Sequence, residues 1–241
     1  MIPNTLLANP EKLQKHMFLT YTNLRVGVAL IAFVFPVLLW GGGEWLKIPL
    51  QDSMSAYYHA TVDGQSMRNW FVGILFAVGA ILYLYKGYSP QESLALNVAG
   101  AAAIGIAIFP MEWDCVDECK ITMHGISAVL FFLSVAYVCI FCASDTLLLM
   151  KDGVREKRFR MYYRLIGTGL ILSPIIAAVL TLLREPILGV SLPKESDPFQ
   201  SYTFFAEAVG IWMFASYWLL KSWEISSTNA EHLALEKMIK A

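Results

Sequence analysis

LRVGVALIAFVFPVLLW, residues 24–40, carries one charge, Arg25, in seventeen residues. At about 1.5 Å per residue, a helix of nearly this length crosses the roughly 30 Å hydrocarbon layer of a bilayer. Arg25 stands at its inner edge, and Gly41-Gly42-Gly43 is expected to close it. Pro36 is tolerable there, because neighbouring helices in lipid satisfy the backbone group it frees. More than twenty residues precede the run and no small-residue cleavage site follows it, so it reads as an uncleaved anchor.

Five more apolar blocks follow, at about 69–85, 94–109, 126–143, 165–183 and 202–220. The expected fold is all-α: an integral membrane bundle of six transmembrane helices over residues 24–220. Residues 1–23 are expected to be a cytoplasmic amphipathic lead-in, and 221–241 a charged cytoplasmic tail. Composition agrees, with 57% hydrophobic and 15% charged residues, against about 45–50% and about 25% in soluble domains. A net charge of -1 offers no global attraction for nucleic acid. Thirteen of the 18 Lys and Arg lie in the N-terminal segment with Arg25, the 86–93 turn, the 151–164 loop and the tail. That asymmetry predicts both termini in the cytoplasm. In the third block, Ala101 and Gly105, and Ala103 and Ala107, are four apart, a spacing that lets helices approach closely in lipid.

Between the first two blocks lies DSMSAYYHATVD, residues 52–63. If helical, it sets Asp52, Ser55, His59 and Asp63 on one face. Ser55, His59 and Asp63 are the candidate catalytic residues, with Ser55 and His59 four apart and His124 and Ser127 three apart. Either pair suits a Ser–His nucleophile arrangement; either also suits a plain side chain to backbone bond. His59 and His124 with Asp114, or with Glu112 or Asp63 in its place, form a candidate zinc site. Glu207 lies about five residues into the last block. A carboxylate there faces a cavity, a cation or a partner, and Arg68 is the expected ion-pair partner. Tyr58, Arg68, Asn97, Ser127 and Glu207 are the candidate substrate or cavity residues, although Asn97 more simply joins helices by hydrogen bonding. Cys115 and Cys119 suit a disulfide, or a C-x3-C metal site with Asp114 and His124. Cys139 and Cys142 are expected free and buried.

SMSAYYH (53–59), RNWFVGILFAVG (68–79), FPMEWD (109–114) and MHGISAVLFFL (123–133) resemble a bacterial family of six-pass membrane proteins without assigned activity. Members have a Ser-x-Ser-Ala-Tyr-Tyr stretch, a Phe-Pro-x-x-x-Asp turn and a His opening the fourth span. The resemblance covers about residues 25–145 and implies a bacterial inner membrane. A more distant likeness is to the multi-pass hydrolase superfamily of alkaline ceramidases and progestin and adiponectin receptors. Those proteins have a Ser-x3-His early and a zinc held mainly by histidines. Ser55 and His59 match the first element; the later His-x3-His is absent, since the last two blocks hold no histidine.

The leading functional expectation is a metal- or histidine-assisted hydrolase of a lipid amide or ester at the outer membrane face, with zinc as candidate cofactor. The alternatives are a non-catalytic sensor or assembly partner, and a small-molecule or ion transporter using Glu207 and Asn97. Expected partners are membrane lipids and no nucleic acid, with room for a homo-oligomer and for a cytoplasmic partner at residues 151–164. The basic loop also suits anionic headgroups.

Overall fold

A computed structural model describes residues 10–111, 122–150, 152–188 and 201–228. Among these, six α-helices form: α1 (Pro10–Trp45), α2 (Arg68–Leu84), α3 (Pro90–Ile108), α4 (Met123–Tyr137), α5 (Gly153–Leu188) and α6 (Tyr202–Thr228). Five are long and apolar enough to cross a membrane, α4 together with the turns that follow it; α2 is apolar but only 17 residues long. Large apolar side chains such as Leu30, Phe33, Val37, Leu133 and Ile176 stand on outward faces. Lipid rather than water suits such a surface.

Several boundaries differ from expectation. The lead-in is not a separate element: from Pro10 it is continuous with the first span, and proline at a helix start gives up only an unused N–H. The three glycines do not end α1 either. Lys47 does, adopting a left-handed φ of 59° while the Ile48 N–H donates back to the Gly43 carbonyl at 2.8 Å. Gly43 instead makes room, since a Cβ there would sit 3.0 Å from the Tyr57 ring. The basic segment 153–164 is helical, forming the first three turns of α5, with Asp152 accepting from the Val154 and Arg155 N–H groups. The last helix runs on to Thr228, so residues 221–228 belong to it rather than to a tail.

Each helix packs on its neighbour in the chain, and α6 packs on α1, closing a six-helix ring. Small residues set the tightest crossing. A Cβ on Gly100 would lie 2.6 Å from the Gly79 carbonyl oxygen, so α3 and α2 touch backbone to backbone. Ala103 and Ala107 are buried as their spacing suggests, whereas Ala101 faces outward. Asn97 joins the same two helices. With its amide nitrogen turned to the carbonyls, it donates to Tyr83 at 2.8 Å and Ser93 at 3.2 Å.

Residues 52–66 do not form the continuous helix that would align Asp52, Ser55, His59 and Asp63. Ser55–Tyr58 is a single 3₁₀ turn, and Thr61–Val62 pairs with Gln65–Ser66 in a two-stranded hairpin. Asp63 and Gly64 are its two-residue loop, with φ of 49° and 77°. An Asp-Gly pair with both φ positive is the tight hairpin turn whose twist matches the flanking strands.

Candidate functional site

The 52–59 segment lies across one end of the ring and is tied to three helices. The Phe204 N–H donates to the Asp52 carbonyl at 2.9 Å, anchoring the segment to the start of α6. Arg68, at the start of α2, donates to the Tyr58 carbonyl at 2.9 Å and lies over the Tyr58 ring, 4.6 Å from its centroid. Beyond α3, the Met111 carbonyl meets His59 Nε2 at 2.9 Å. Ser53 caps the 3₁₀ turn by accepting from the Ala56 N–H at 3.1 Å. Behind it Tyr57 is fully buried, which pushes its phenol up to about 12 and keeps it neutral.

These ties hold Ser55 against the first turn of α4. His124 Nε2 lies 3.0 Å from Ser55 Oγ, and His124 Nδ1 lies 2.8 Å from the Phe109 carbonyl oxygen. A carbonyl only accepts, so Nδ1 carries the hydrogen. A neutral imidazole then presents its lone pair at Nε2, and the Ser55 hydroxyl donates to it. Such an arrangement can activate a serine: the imidazole can take the hydroxyl proton, and the carbonyl fixes its tautomer.

Neither expected pair forms. Ser55 bonds His124 rather than His59, while His59 bonds backbone. Ser127 is buried against Gly105, where a Cβ would come within 2.5 Å of its Oγ, so it serves the α3–α4 crossing. Asp63 is exposed in the hairpin turn. Glu207 makes no ion pair with Arg68: its Oε2 accepts the Met54 N–H at 2.6 Å. Tyr58 serves as the platform for Arg68.

Beneath Ser55 a cavity of about 310 Å³ opens into the ring. Four of its polar groups, Ser55, His124, Thr203 and Glu207, gather with the 52–59 segment, while Ser173 also lines it, and Phe71, Phe131 and Phe214 are among its apolar walls. The two histidines bind carbonyls two residues apart, at 109 and 111. Nδ1 of His124 is taken by the Phe109 carbonyl and its Nε2 faces Ser55, while Asp114, the expected third zinc ligand, is not among the described residues. Among the described residues, no three His, Cys, Asp or Glu side chains group closely enough to hold a metal. Glu112, Asp114, Cys115 and Cys119 lie outside the described residues. Cys139 and Cys142 are free and buried, as expected.

A second polar cluster lies at the opposite end of the ring. Lys221 and Glu224 are fully buried, with Nζ of Lys221 3.1 Å from Glu224 Oε2 and 2.6 Å from Thr146 Oγ1. Tyr163 and Thr146 also donate to Glu224. Buried Arg25 donates to the Tyr85 and Tyr88 hydroxyls, at 3.2 and 3.3 Å. Buried Glu92 accepts from the Tyr88 N–H at 2.8 Å. Sequence reasoning assigned Lys221 and Glu224 to a charged, helical cytoplasmic tail; the apolar flanks Trp218, Trp223 and Ile225 were the signal that the helix continues in the bundle.

Compared with known proteins, the chain matches no family model, no curated protein and no solved structure.

Proposed function

We propose that the protein is a membrane-embedded serine hydrolase of lipid esters or amides, with Ser55 as nucleophile and His124 as its base. The hydrogen-bonded chain from Ser55 Oγ through His124 to the Phe109 carbonyl carries this conclusion. In the first step the Ser55 hydroxyl proton passes to His124 Nε2 as the oxygen attacks the substrate carbonyl carbon. The ester or amide bond then breaks, and the leaving oxygen or nitrogen takes that proton from Nε2. Water, deprotonated by the same nitrogen, attacks the acyl carbon; the bond to Ser55 Oγ breaks and Oγ takes the proton back from Nε2, releasing the acid.

Glu207 is a positioning residue: it holds the Met54 N–H and so fixes the turn that presents the nucleophile. The cavity, at the low end of the roughly 300–1,000 Å³ of small-molecule sites, suits a single acyl chain. The uneven distribution of Lys and Arg supports cytoplasmic termini and the Ser55 end outward, and the resemblance of residues 25–145 to a bacterial family supports an inner membrane.

The test uses the full chain in lipid nanodiscs, a fluorophosphonate probe and long-chain 4-nitrophenyl esters. Labelling and turnover are expected in the wild type. Ser55→Ala and His124→Ala are each expected to lower turnover by about a thousand-fold or more, and His59→Ala by only a few-fold. Turnover that survives Ser55→Ala rejects Ser55 as the nucleophile; a wild type that neither labels nor turns over rejects the hydrolase and favours a non-catalytic membrane protein.

A further inference from the structure

The start of α5 takes no part in the Ser55 site. Residues 153–164 hold Arg155, Lys157, Arg158, Arg160 and Arg164 against one acid, Glu156. The buried stripe of this helix, Phe159, Tyr163, Ile166 and Leu170, faces the ring. Lys157, Arg160 and Arg164 fall on the opposite face at i, i+3 and i+7, with Leu165 and Leu172 continuing the same stripe. That face is a groove of about 540 Å³, cationic at one end and apolar at the other. Thr168 within it turns its hydroxyl back to the Arg164 carbonyl at 2.8 Å and leaves its methyl outward.

A second groove, of about 520 Å³, runs between α5 and α6 and shares Leu165 as its wall with the first. Leu219, Leu220 and Trp223 line it, and the Ser216 hydroxyl inside it is spent on the Trp212 carbonyl at 2.7 Å. Tyr162 and Trp223, 38% and 57% exposed, belong to its lining, as suits aromatics at a membrane–water boundary.

We propose that the two grooves seat one two-chain anionic phospholipid, its phosphate on Lys157, Arg160 and Arg164 and a chain on either side of Leu165. Lys157 and Arg164 have no ion-pair partner among the described residues. Arg160 bonds Glu156 at 2.6 Å, yet its side chain remains 34% exposed. A second copy of the chain related by a two-fold through this face would set the same three cations against each other. A zwitterionic lipid brings its own cation to them. Soluble phosphate has no use for the apolar grooves.

The full chain in dodecylmaltoside is titrated with dibrominated phosphatidylglycerol or phosphatidylcholine, whose bromines quench nearby tryptophans. Saturable quenching by phosphatidylglycerol is expected, at least ten-fold tighter than by phosphatidylcholine. Lys157→Gln and Arg164→Gln are each expected to weaken it about five-fold, and the double variant over twenty-fold, as for cations beside an anionic surface. Both side chains are exposed, so the fold is expected to survive, with size-exclusion elution as its check. Glycerol phosphate is expected not to compete. Equal affinity for the two lipids, an unaffected double variant, or full displacement by glycerol phosphate overturns the proposal.

Discussion

Ser55 and His124 stand 69 residues apart in the chain and meet because the 3₁₀ turn and the first turn of α4 are both pinned at the same end of the ring. Glu207 is one of those pins, and its two substitutions separate charge from position. Gln at 207 keeps a carbonyl oxygen for the Met54 N–H, so Glu207→Gln is expected to stay near wild type in stability and within about ten-fold in turnover. Glu207→Ala leaves that N–H without its charged acceptor, a loss of about 1.5–3 kcal/mol, and is expected to lower both the melting temperature and kcat. Equal damage from both variants shows that the carboxylate itself acts. The hairpin loop gives a second test. Gly64 sits at φ 77° with open space around it, so Gly64→Ala is strained by backbone alone. A cost of roughly 1 kcal/mol is expected, read as faster amide exchange across 61–66 with the helices unaffected.

At the scale of elements, α2 and α3 meet where neither backbone can give way. A Cβ on Gly100 would press on the Gly79 carbonyl oxygen, and one on Gly79 would press on the Gly100 carbonyl oxygen at 2.8 Å. Gly100→Ala is therefore expected to cost about 1–3 kcal/mol by overpacking, measured by thermal denaturation in detergent; no change in melting temperature contradicts so close a crossing. The spacing of small residues announced a close approach but not its partner. Ala101 faces outward, while Gly100, one position earlier, makes the contact. Residues 52–63 show a similar limit. Their polar spacing fits one helix face, yet Asp63-Gly64 is the stronger local signal, because few residues other than glycine or a short polar side chain tolerate two positive φ angles in succession.

The whole molecule is a ring sealed differently at its two ends. At one end a short segment covers a cavity beneath a serine and a histidine; at the other, buried charges from α1, α3 and α6 gather, with Lys221 paired to Glu224. Removing one partner there strands the other. Lys221→Ala leaves Glu224 buried without its cation and is expected to destabilise the fold by about 3–5 kcal/mol, whereas Lys221→Met with Glu224→Met removes both charges and is expected to recover most of that loss. Melting temperatures of the single and double variants check it. A double variant no better than the single one shows that the pair does not act as a unit.

The sequence by itself determined that the chain is helical, where its apolar blocks lie, and that their outward faces are made for lipid. Those properties are local: bilayer thickness and backbone hydrogen bonding demand one long apolar helix at a time. The polar residues were visible as well, but not their partners. Ser55 was read with His59, four residues on, because spacing along a chain reports only neighbours on the same helix. Glu207 was read with Arg68 from their place at outer span ends, and Lys221 was left in the cytoplasmic tail. Their actual partners, His124, the Met54 N–H and Glu224 with Thr146, depend on which helix ends the ring brings together. Even Lys221 and Glu224, three apart on α6, are buried only because α5 and the 143–146 turn pack over them. Closure of α6 on α1 decides these contacts, and packing between distant segments leaves no periodic mark in the sequence.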